Sequence, residues 1–455
     1  MVKFALYILL CEGANEMHLY GTQAISHQGH LTIGGVDTIE LAKQYGTPLF
    51  VYDVALIRER ARGFRQTFED LEVKAQVAYA SKAFSCIAMY QLAIEEQLSI
   101  DVVSGGELYT ALQAGVPAEK IHFHGNNKSI DELTMALDAK VGCLVVDNFY
   151  EIALIKQMAN ERQQEVAILL RVTPGVEAHT HDFITTGQAD SKFGFDLHNG
   201  QADQAFKETY QAPYIRLLGL HCHIGSQIFD TVAFGLAGEK LVDKMQQWQT
   251  DYHFTSTVLN LGGGFGIRYT EEDQPLAPKV YVEDMIKVVK EKVKKACIPM
   301  PEIWIEPGRS LVGDAGTSLY TVGSHKTVPD VREYIAVDGG MSDNIRPALY
   351  EAKYEAVIAN KANKARNQCY TIAGKLCESG DKLIEHAALQ VAQAGDILAM
   401  FCTGAYGYAM ASNYNRVARP AVVFVEKGQH QLVIKRESYE HIVKNDLPFT
   451  LKKGE

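Results

Sequence analysis

From Tyr52 onward, short apolar runs alternate with longer stretches whose apolar residues recur every three or four positions, the pattern of strands interleaved with amphipathic helices. Leu56, Ile57, Ala61, Phe64 and Phe68 define one helix face, with Asp53 placed to cap it. Glu107 to Ala114 predicts a second helix, stopped by Gly115 and Pro117, and Ser129 with Glu132 has capping-box spacing for a third. The strand candidates are Val77 to Lys82, Ile100 to Val103, Ile121 to His124, Cys143 to Val146, Ala167 to Val172, Leu217 to His223, Val258 to Leu261 and Ile303 to Glu306. Eight strands interleaved with helices over about 250 residues is the count of a closed parallel (β/α)8 barrel, which places its chemistry at the C-terminal ends of the strands.

After Ser310 the pattern changes. Short runs rich in Val, Ile, Tyr and Thr, such as REYIAVDGG, AVVFVEKG and HQLVIKRE, are separated by Gly, Asn and Asp, which predicts a mostly β C-terminal domain. The expected organisation is an extension over residues 1–16, N-terminal strands over 17–52 that join the β domain, the barrel over 53–310 and the β domain over 311–455. Met17 is expected to begin the functional chain, because HLYGTQAISHQGHLTIGGV directly after it reads as short strands and turns. The opening run FALYILLC is too short to span a bilayer and is followed by no small-residue cleavage site of the usual kind.

Composition narrows the class of partner. The 455 residues are 47% hydrophobic and 22% charged, with no low-complexity tract, so the chain can bury a sizeable core. A formal net charge of -11 argues against a nucleic-acid or anionic-membrane partner and favours a small molecule. The eight cysteines are scattered without a CxxC pair, which suits neither a zinc framework nor a dense disulfide scaffold and fits a reducing cytoplasm.

The chemistry gathers at strand ends. The stretch VAYASKA is built like a buried strand yet ends on Lys82, and an ammonium buried without a use would be costly. LNLGGGFG sets Gly262, Gly263 and Gly264 directly after the seventh strand, where bare backbone N–H groups can approach a phosphate; a tight turn explains such a triplet equally well. EPGR, from Glu306 to Arg309, follows the eighth strand, where an acid and a base would meet a ligand or form a structural ion pair. In LHCHIGSQ, His221 and His223 are two apart and so are expected to face the same way. His122 with His124 and His179 with His181 share that spacing, which raises a zinc-hydrolase reading. That reading leaves Lys82 and the glycines idle, and no metal is expected.

Lysine, glycine cradle, carboxylate and imidazole fit together for pyridoxal 5'-phosphate. Its aldehyde needs an amine, its phosphate needs backbone donors and its ring nitrogen needs an acidic partner. Lys82, Gly262 to Gly264 and Glu306 fill those roles, with His223 free to stack on the ring, and Lys82 is expected to lie inside for that reason.

YASKA, HCHIGSQI, LGGGFGIRY, EPGRSLV, VDGGMSDNIRPALY, CESGD and TGAYGYAMASNYN, in this order, resemble the diaminopimelate decarboxylases of the alanine-racemase-like class of pyridoxal-phosphate enzymes. The resemblance runs from about Met17 to the C-terminal region. It implies a (β/α)8 barrel followed by a β domain, a cytoplasmic homodimer with active sites at the subunit interface, and removal of the D-centre carboxylate of meso-2,6-diaminopimelate to leave L-lysine, the last step of lysine biosynthesis. It further implies that Lys82, His223, Ser226, Gly262, Gly263, Gly264, Glu306, Gly308, Arg309 and Tyr406 hold the cofactor. Arg309 and Arg346 are then expected to bind the distal carboxylate, Glu378 the distal ammonium, and Tyr350 and Tyr406 to complete the pocket. Cys377 becomes the acid that reprotonates the substrate carbon from the partner subunit, and Lys82, Cys377 and His223 the catalytic set. Ornithine and arginine decarboxylases are the nearest competitors, but their substrates carry a cationic far end and have no need of Arg346. A racemase would require a second acid/base facing Lys82, and a non-catalytic cofactor carrier would leave Cys377 without a use.

Overall fold

In the computed structural model, residues 17–176 and 191–449 are described. They form two compact units, one from Leu56 to Asp314 and the other combining the segment up to Ala55 with Ala315 onward. The extension over residues 1–16 and the pair His179 and His181 lie outside the described residues.

The first unit is a closed parallel barrel. Its strands are β1 (Ala75–Ala80), β2 (Ser99–Val102), β3 (Ile121–Phe123), β4 (Cys143–Val146), β5 (Val166–Thr173), β6 (Ile215–His221), β7 (Val258–Asn260) and β8 (Glu302–Ile305). Each pairs with the next, and closure comes from β8 on β1, with Ile303 opposite Ala75. Strands buried on both faces read as continuous apolar runs rather than alternating ones. CLVV of β4 is entirely buried for this reason, as are four of the six residues of β1. Inside the barrel Cys143, Val145, Ala167, Leu169, Leu218, Val258 and Trp304 form one cluster, and each large apolar side chain so buried contributes about 1.5–3 kcal/mol.

The helices between strands start where the sequence supplies caps. Ser129 accepts the backbone N–H of Glu132 while the Glu132 side chain accepts from Ser129, completing the capping box of Ile130–Ala139. Glu132 also accepts the N–H of Gly105 at 2.7 Å, so one side chain ties the start of this helix to the start of the preceding one, Gly105–Gln113. Asp53 accepts the backbone N–H and the hydroxyl of Thr22 at 2.8 and 2.7 Å, and the helix Val54–Asp70 follows directly.

The second unit is built on the long strand Gly316–Val328, which pairs with Leu49–Asp53, Arg332–Val337 and Ile397–Met400. Leu49–Asp53 pairs on its other side with Ala421–Glu426, which forms a hairpin with Gln429–Ile434. The N-terminal strand is therefore a central member of the C-terminal sheet. Residues 24–37 make a small meander of three short strands, as the turn-rich sequence after Met17 predicts.

Candidate active site at the barrel mouth

All eight expected strands exist, with ends displaced by a residue or two, and the displacements matter at the site. Strand β1 stops at Ala80, and Lys82 stands on a 3-10 turn, Ser81–Ala83, immediately beyond it. Its side chain is exposed at the mouth rather than enclosed. This corrects the expectation of a buried lysine: a turn lets the ammonium keep its hydration while its neighbours Ser81 and Ala83 are buried. Its charge still acts on the groups below it, including Asp101, Glu107, His221 and His223.

Glu306 lies just past β8 and is buried. Its two oxygens have separate partners. Oε1 accepts from Asn260 Nδ2 at 2.6 Å and stands 3.0 Å from His124 Nε2, while Oε2 stands 3.1 Å from His221 Nε2. Burial works to raise the carboxyl, yet the two imidazoles hold it well below the usual carboxylate range. The result is a buried, ionised carboxylate at the floor of the mouth. Asp101, on β2, lies 3.7 Å from His124 Nε2, and burial pushes its carboxyl up to about 6 against the pull of His124.

Each spaced histidine pair among the described residues straddles a strand end. His122 is within β3 and stacks on Trp304 with ring centroids 4.2 Å apart, whereas His124, one residue past the strand, faces Glu306. His221 is the last residue of β6, so His223 is free of the strand's alternation. His223 Nδ1 accepts the N–H of Gly263 at 3.2 Å, which requires an unprotonated nitrogen there. Burial, together with the charges of Lys82 and Arg171, holds this imidazole well below its usual range. Three donors, from His124, His221 and Glu306, fall within 4.8 Å of one another; a proton on each imidazole accounts for that closeness.

The glycine triplet is required by close approach. A Cβ at Gly262 would sit 2.4 Å from Cys222 O, at Gly263 2.0 Å from Glu306 O, and at Gly264 2.3 Å from Gly225 O. Gly262 and Gly264 also adopt φ of +69° and +113°, where other residues are strained. The N–H groups of Gly262 and Gly263 donate to Asn260 Oδ1 and His223 Nδ1. Those two donors are thus already engaged, and what the triplet supplies most directly is room. Gly263→Ala is expected to cost about 1–3 kcal/mol of stability and to weaken cofactor binding, because the methyl must displace the backbone that carries Glu306. Thermal unfolding and a cofactor titration check this, and no change in either would show that the loop has slack.

Past Gly308, Arg309 begins a short helix with Nη2 2.9 Å from the Ser226 hydroxyl and Nη1 2.5 Å from the Tyr269 hydroxyl. A Cβ at Gly308 would lie 3.0 Å from that of Ala80, so the lysine turn and this loop are in close contact.

In the second unit, Arg346 is buried and donates from Nη1 to the Tyr354 hydroxyl at 2.6 Å. Tyr350 is half-buried, and Tyr406 is half-buried with φ of +59°, a strained conformation for a bulky residue of the kind found at functional positions. Cys377 and Glu378 are exposed, and the N–H of Cys377 is fixed by Asn415 Oδ1 at 2.8 Å. Asp381, the last residue of CESGD, accepts the N–H groups of Leu376 and Met341 at 2.8 and 2.6 Å and anchors this loop.

The sequence reading passed over Asp101 and Arg171 and saw His124 only as half of a spaced pair. The available signal was a lone charge within an apolar strand, as in SIDVV and ILLRV.

The donor set suits pyridoxal 5'-phosphate: an amine at the mouth, an ionised buried carboxylate beneath it, and a loop in which any side chain would collide. Fold and site together define a barrel of the pyridoxal-dependent decarboxylase class, and the family described as "Pyridoxal-dependent decarboxylase, pyridoxal binding domain" matches residues 54–313. The chain is 65% identical to the diaminopimelate decarboxylase of Bacillus subtilis (strain 168), across 95% of this chain and 99% of that one. It is 47% identical to that of Staphylococcus aureus (strain COL), across 93% and 99%. The solved diaminopimelate decarboxylase of M. jannaschii in complex with L-lysine superposes with a TM-score of 0.88 at 36% identity, across 95% and 99%. The chain belongs to the diaminopimelate decarboxylase family and is a carboxy-lyase that uses pyridoxal 5'-phosphate.

Proposed function

We propose that the barrel-mouth residues carry out the decarboxylation of meso-2,6-diaminopimelate at its D centre, giving L-lysine and carbon dioxide. The observation that carries the reading is Glu306, a carboxylate kept charged in a buried site beneath the lysine-bearing turn. Bound pyridoxal 5'-phosphate supplies the sink for the electron pair left behind as carbon dioxide departs. Lys82 Nζ, exposed at the mouth, is the amine that would hold the cofactor. Glu306 offers fixed negative charge to the cofactor's ring nitrogen, and the neutral imidazole of His223 presents a flat face to the ring. Ser226, Gly308, Arg309 and the glycine loop would hold the rest of the cofactor.

Specificity belongs to residues of the second unit. Arg346, with Arg309, is assigned to the distal carboxylate, which a planar guanidinium fork suits better than an ammonium. Glu378 is assigned to the distal ammonium, and Tyr350 and Tyr406 close the pocket. Cys377 Sγ delivers the proton to the substrate carbon, a task suited to a thiol that holds its proton near neutral pH.

The assembly is a homodimer in which Cys377 and Glu378 serve the barrel of the second copy. Both are exposed in the single chain, and the helices that leave β1 to β4 expose Ile87, Tyr109, Ile130 and Tyr150 around the mouth, an apolar rim suited to a partner. A biosynthetic role on a small soluble amino acid assigns the enzyme to the cytoplasm. No helix among the described residues is long and apolar enough to cross a membrane.

The test is carbon dioxide release from cofactor-loaded protein offered meso-diaminopimelate, L-ornithine, L-arginine and L-lysine separately. Release from meso-diaminopimelate alone, with L-lysine as product, is expected. Release chiefly from ornithine or arginine would overturn the roles of Arg346 and Glu378, and no release from any of them would overturn the reading as a whole.

A further inference from the structure

We infer that His124 is a positioning residue that keeps Glu306 ionised, its Nε2 3.0 Å from Glu306 Oε1 with the Asp101 carboxylate beside it at 3.7 Å. The inference rests on the role proposed for Glu306.

The geometry is specific. His124 follows β3, and its own backbone N–H is fixed by Val102 O at 2.8 Å, so the side chain is directed across the mouth. Nε2 stands 3.0 Å from Glu306 Oε1 and 3.7 Å from Asp101 Oδ1. A ring nitrogen 3.0 Å from a carboxylate oxygen carries its hydrogen. His124, Asp101 and Glu306 are all buried, so water does not screen these contacts and each is stronger than its surface equivalent.

Every element around Glu306 contributes to its state. His221 comes from β6 and Asn260 from β7, each with a contact to one of its oxygens. Arg171 on β5 is half-buried and lies 3.7 Å from Asp147. His122 on β3, His223 and Lys82 add the remaining neighbouring charges or dipoles. Among these, Glu306 is the only acid that His221 and Asn260 contact in these bonds, whereas His124 also lies near the acid of a neighbouring strand. Asp101 is itself half-way to neutral near pH 6. As that group gains its proton, Glu306 is left as the charged acid facing His124.

The direction of the effect is fixed by the chemistry. Removing a hydrogen-bond donor from an ionised carboxylate disfavours the charged form and raises its pKa. Glu306 would then lose its charge at a higher pH, and whatever depends on that charge would fail earlier on acidification.

The experiment compares His124→Gln and His124→Leu with wild type in two measurements across pH. In the first, apo-protein is titrated with pyridoxal 5'-phosphate and its affinity followed as the pH is lowered. In the second, kcat and KM for meso-diaminopimelate are measured on loaded enzyme. His124→Leu is expected to move the acid limb of both profiles to higher pH and to lower kcat roughly 10- to 100-fold, the size seen when an outer partner of a site is removed. KM should be little changed, since the lost interaction matters to charge development and not to substrate capture. His124→Gln restores an N–H donor and should recover part of the loss. Acid limbs that stay in place in both variants, with only a lower melting temperature, would reduce His124 to packing and overturn the inference. If His124→Leu does not fold, His124→Ala takes its place, and an acid limb that stays where wild type has it in that variant, with kcat reduced, overturns the donor role. The affinity profile on apo-protein stands apart from the substrate panel, so failure of the proposed reaction and failure of this inference give different results.

Discussion

Lys82→Ala should abolish steady-state turnover and the stable retention of cofactor through dialysis. The turn Ser81–Ala83 carries the lysine as an exposed side chain flanked by buried residues, so truncation removes the amine with little consequence for packing. Folding and melting temperature are therefore expected to match wild type within about 0.5 kcal/mol, as for a surface substitution. Cofactor should still enter the site but be lost on dialysis, since only non-covalent contacts remain to hold it. Mixing this variant with Cys377→Ala extends the test. If the two residues serve one site from different copies, subunit exchange rebuilds some complete sites and returns part of the wild-type rate. Undiminished turnover by Lys82→Ala would remove the assignment, and a mixture as inactive as its components would place both residues on the same copy.

Glu306→Gln is the second large effect, and it reaches stability as well as rate. The amide keeps the volume of the side chain but replaces the charge-assisted contacts to His124 and His221 with neutral ones, a loss of about 1.5–3 kcal/mol. The kcat should fall by roughly 100- to 1,000-fold, the scale on which a preorganised charge at a reacting centre contributes. The pH dependence follows from the depressed pKa. In wild type the ionised Glu306 contributes stability that is fully present above the unfolded value of about 4.3 and is lost as pH falls through the lower folded value. The stability gap between wild type and variant should therefore be widest near neutral pH and narrow below about pH 4. Melting temperatures across that range check it. A gap that does not change with pH would mean that Glu306 is not the charged member of the cluster.

Much of this protein is local information. The apolar runs from Val77 to Glu306 predict the strands because strands buried on both faces carry few polar residues, and the closed barrel follows from their number. Ser129 with Glu132 predicts a helix start that the structure contains, since a capping box depends on residues three apart. The ordered motifs, from YASKA to TGAYGYAMASNYN, carry the family resemblance for the same reason: each is a short run whose chemistry is written in its own residues.

What the sequence could not decide depends on where a strand stops and on what another strand brings beside it. His221 and His223 share the charges of Glu306, Lys82 and Arg171 although β6 ends between them. Lys82 is placed inside by its cofactor role, but β1 ends two residues before it and the turn leaves it exposed. The glycine triplet looked like a set of donors; only the approach of Cys222 O, Glu306 O and Gly225 O shows that any side chain there would collide. The cluster of Asp101, His124, His221 and Glu306 draws on residues 23, 97 and 85 positions apart in turn, and no spacing in the chain announces it. Barrel closure makes these residues neighbours, burial strengthens their mutual charges, and the state of Glu306 is therefore a property of the closed fold and not of the EPGR motif that contains it.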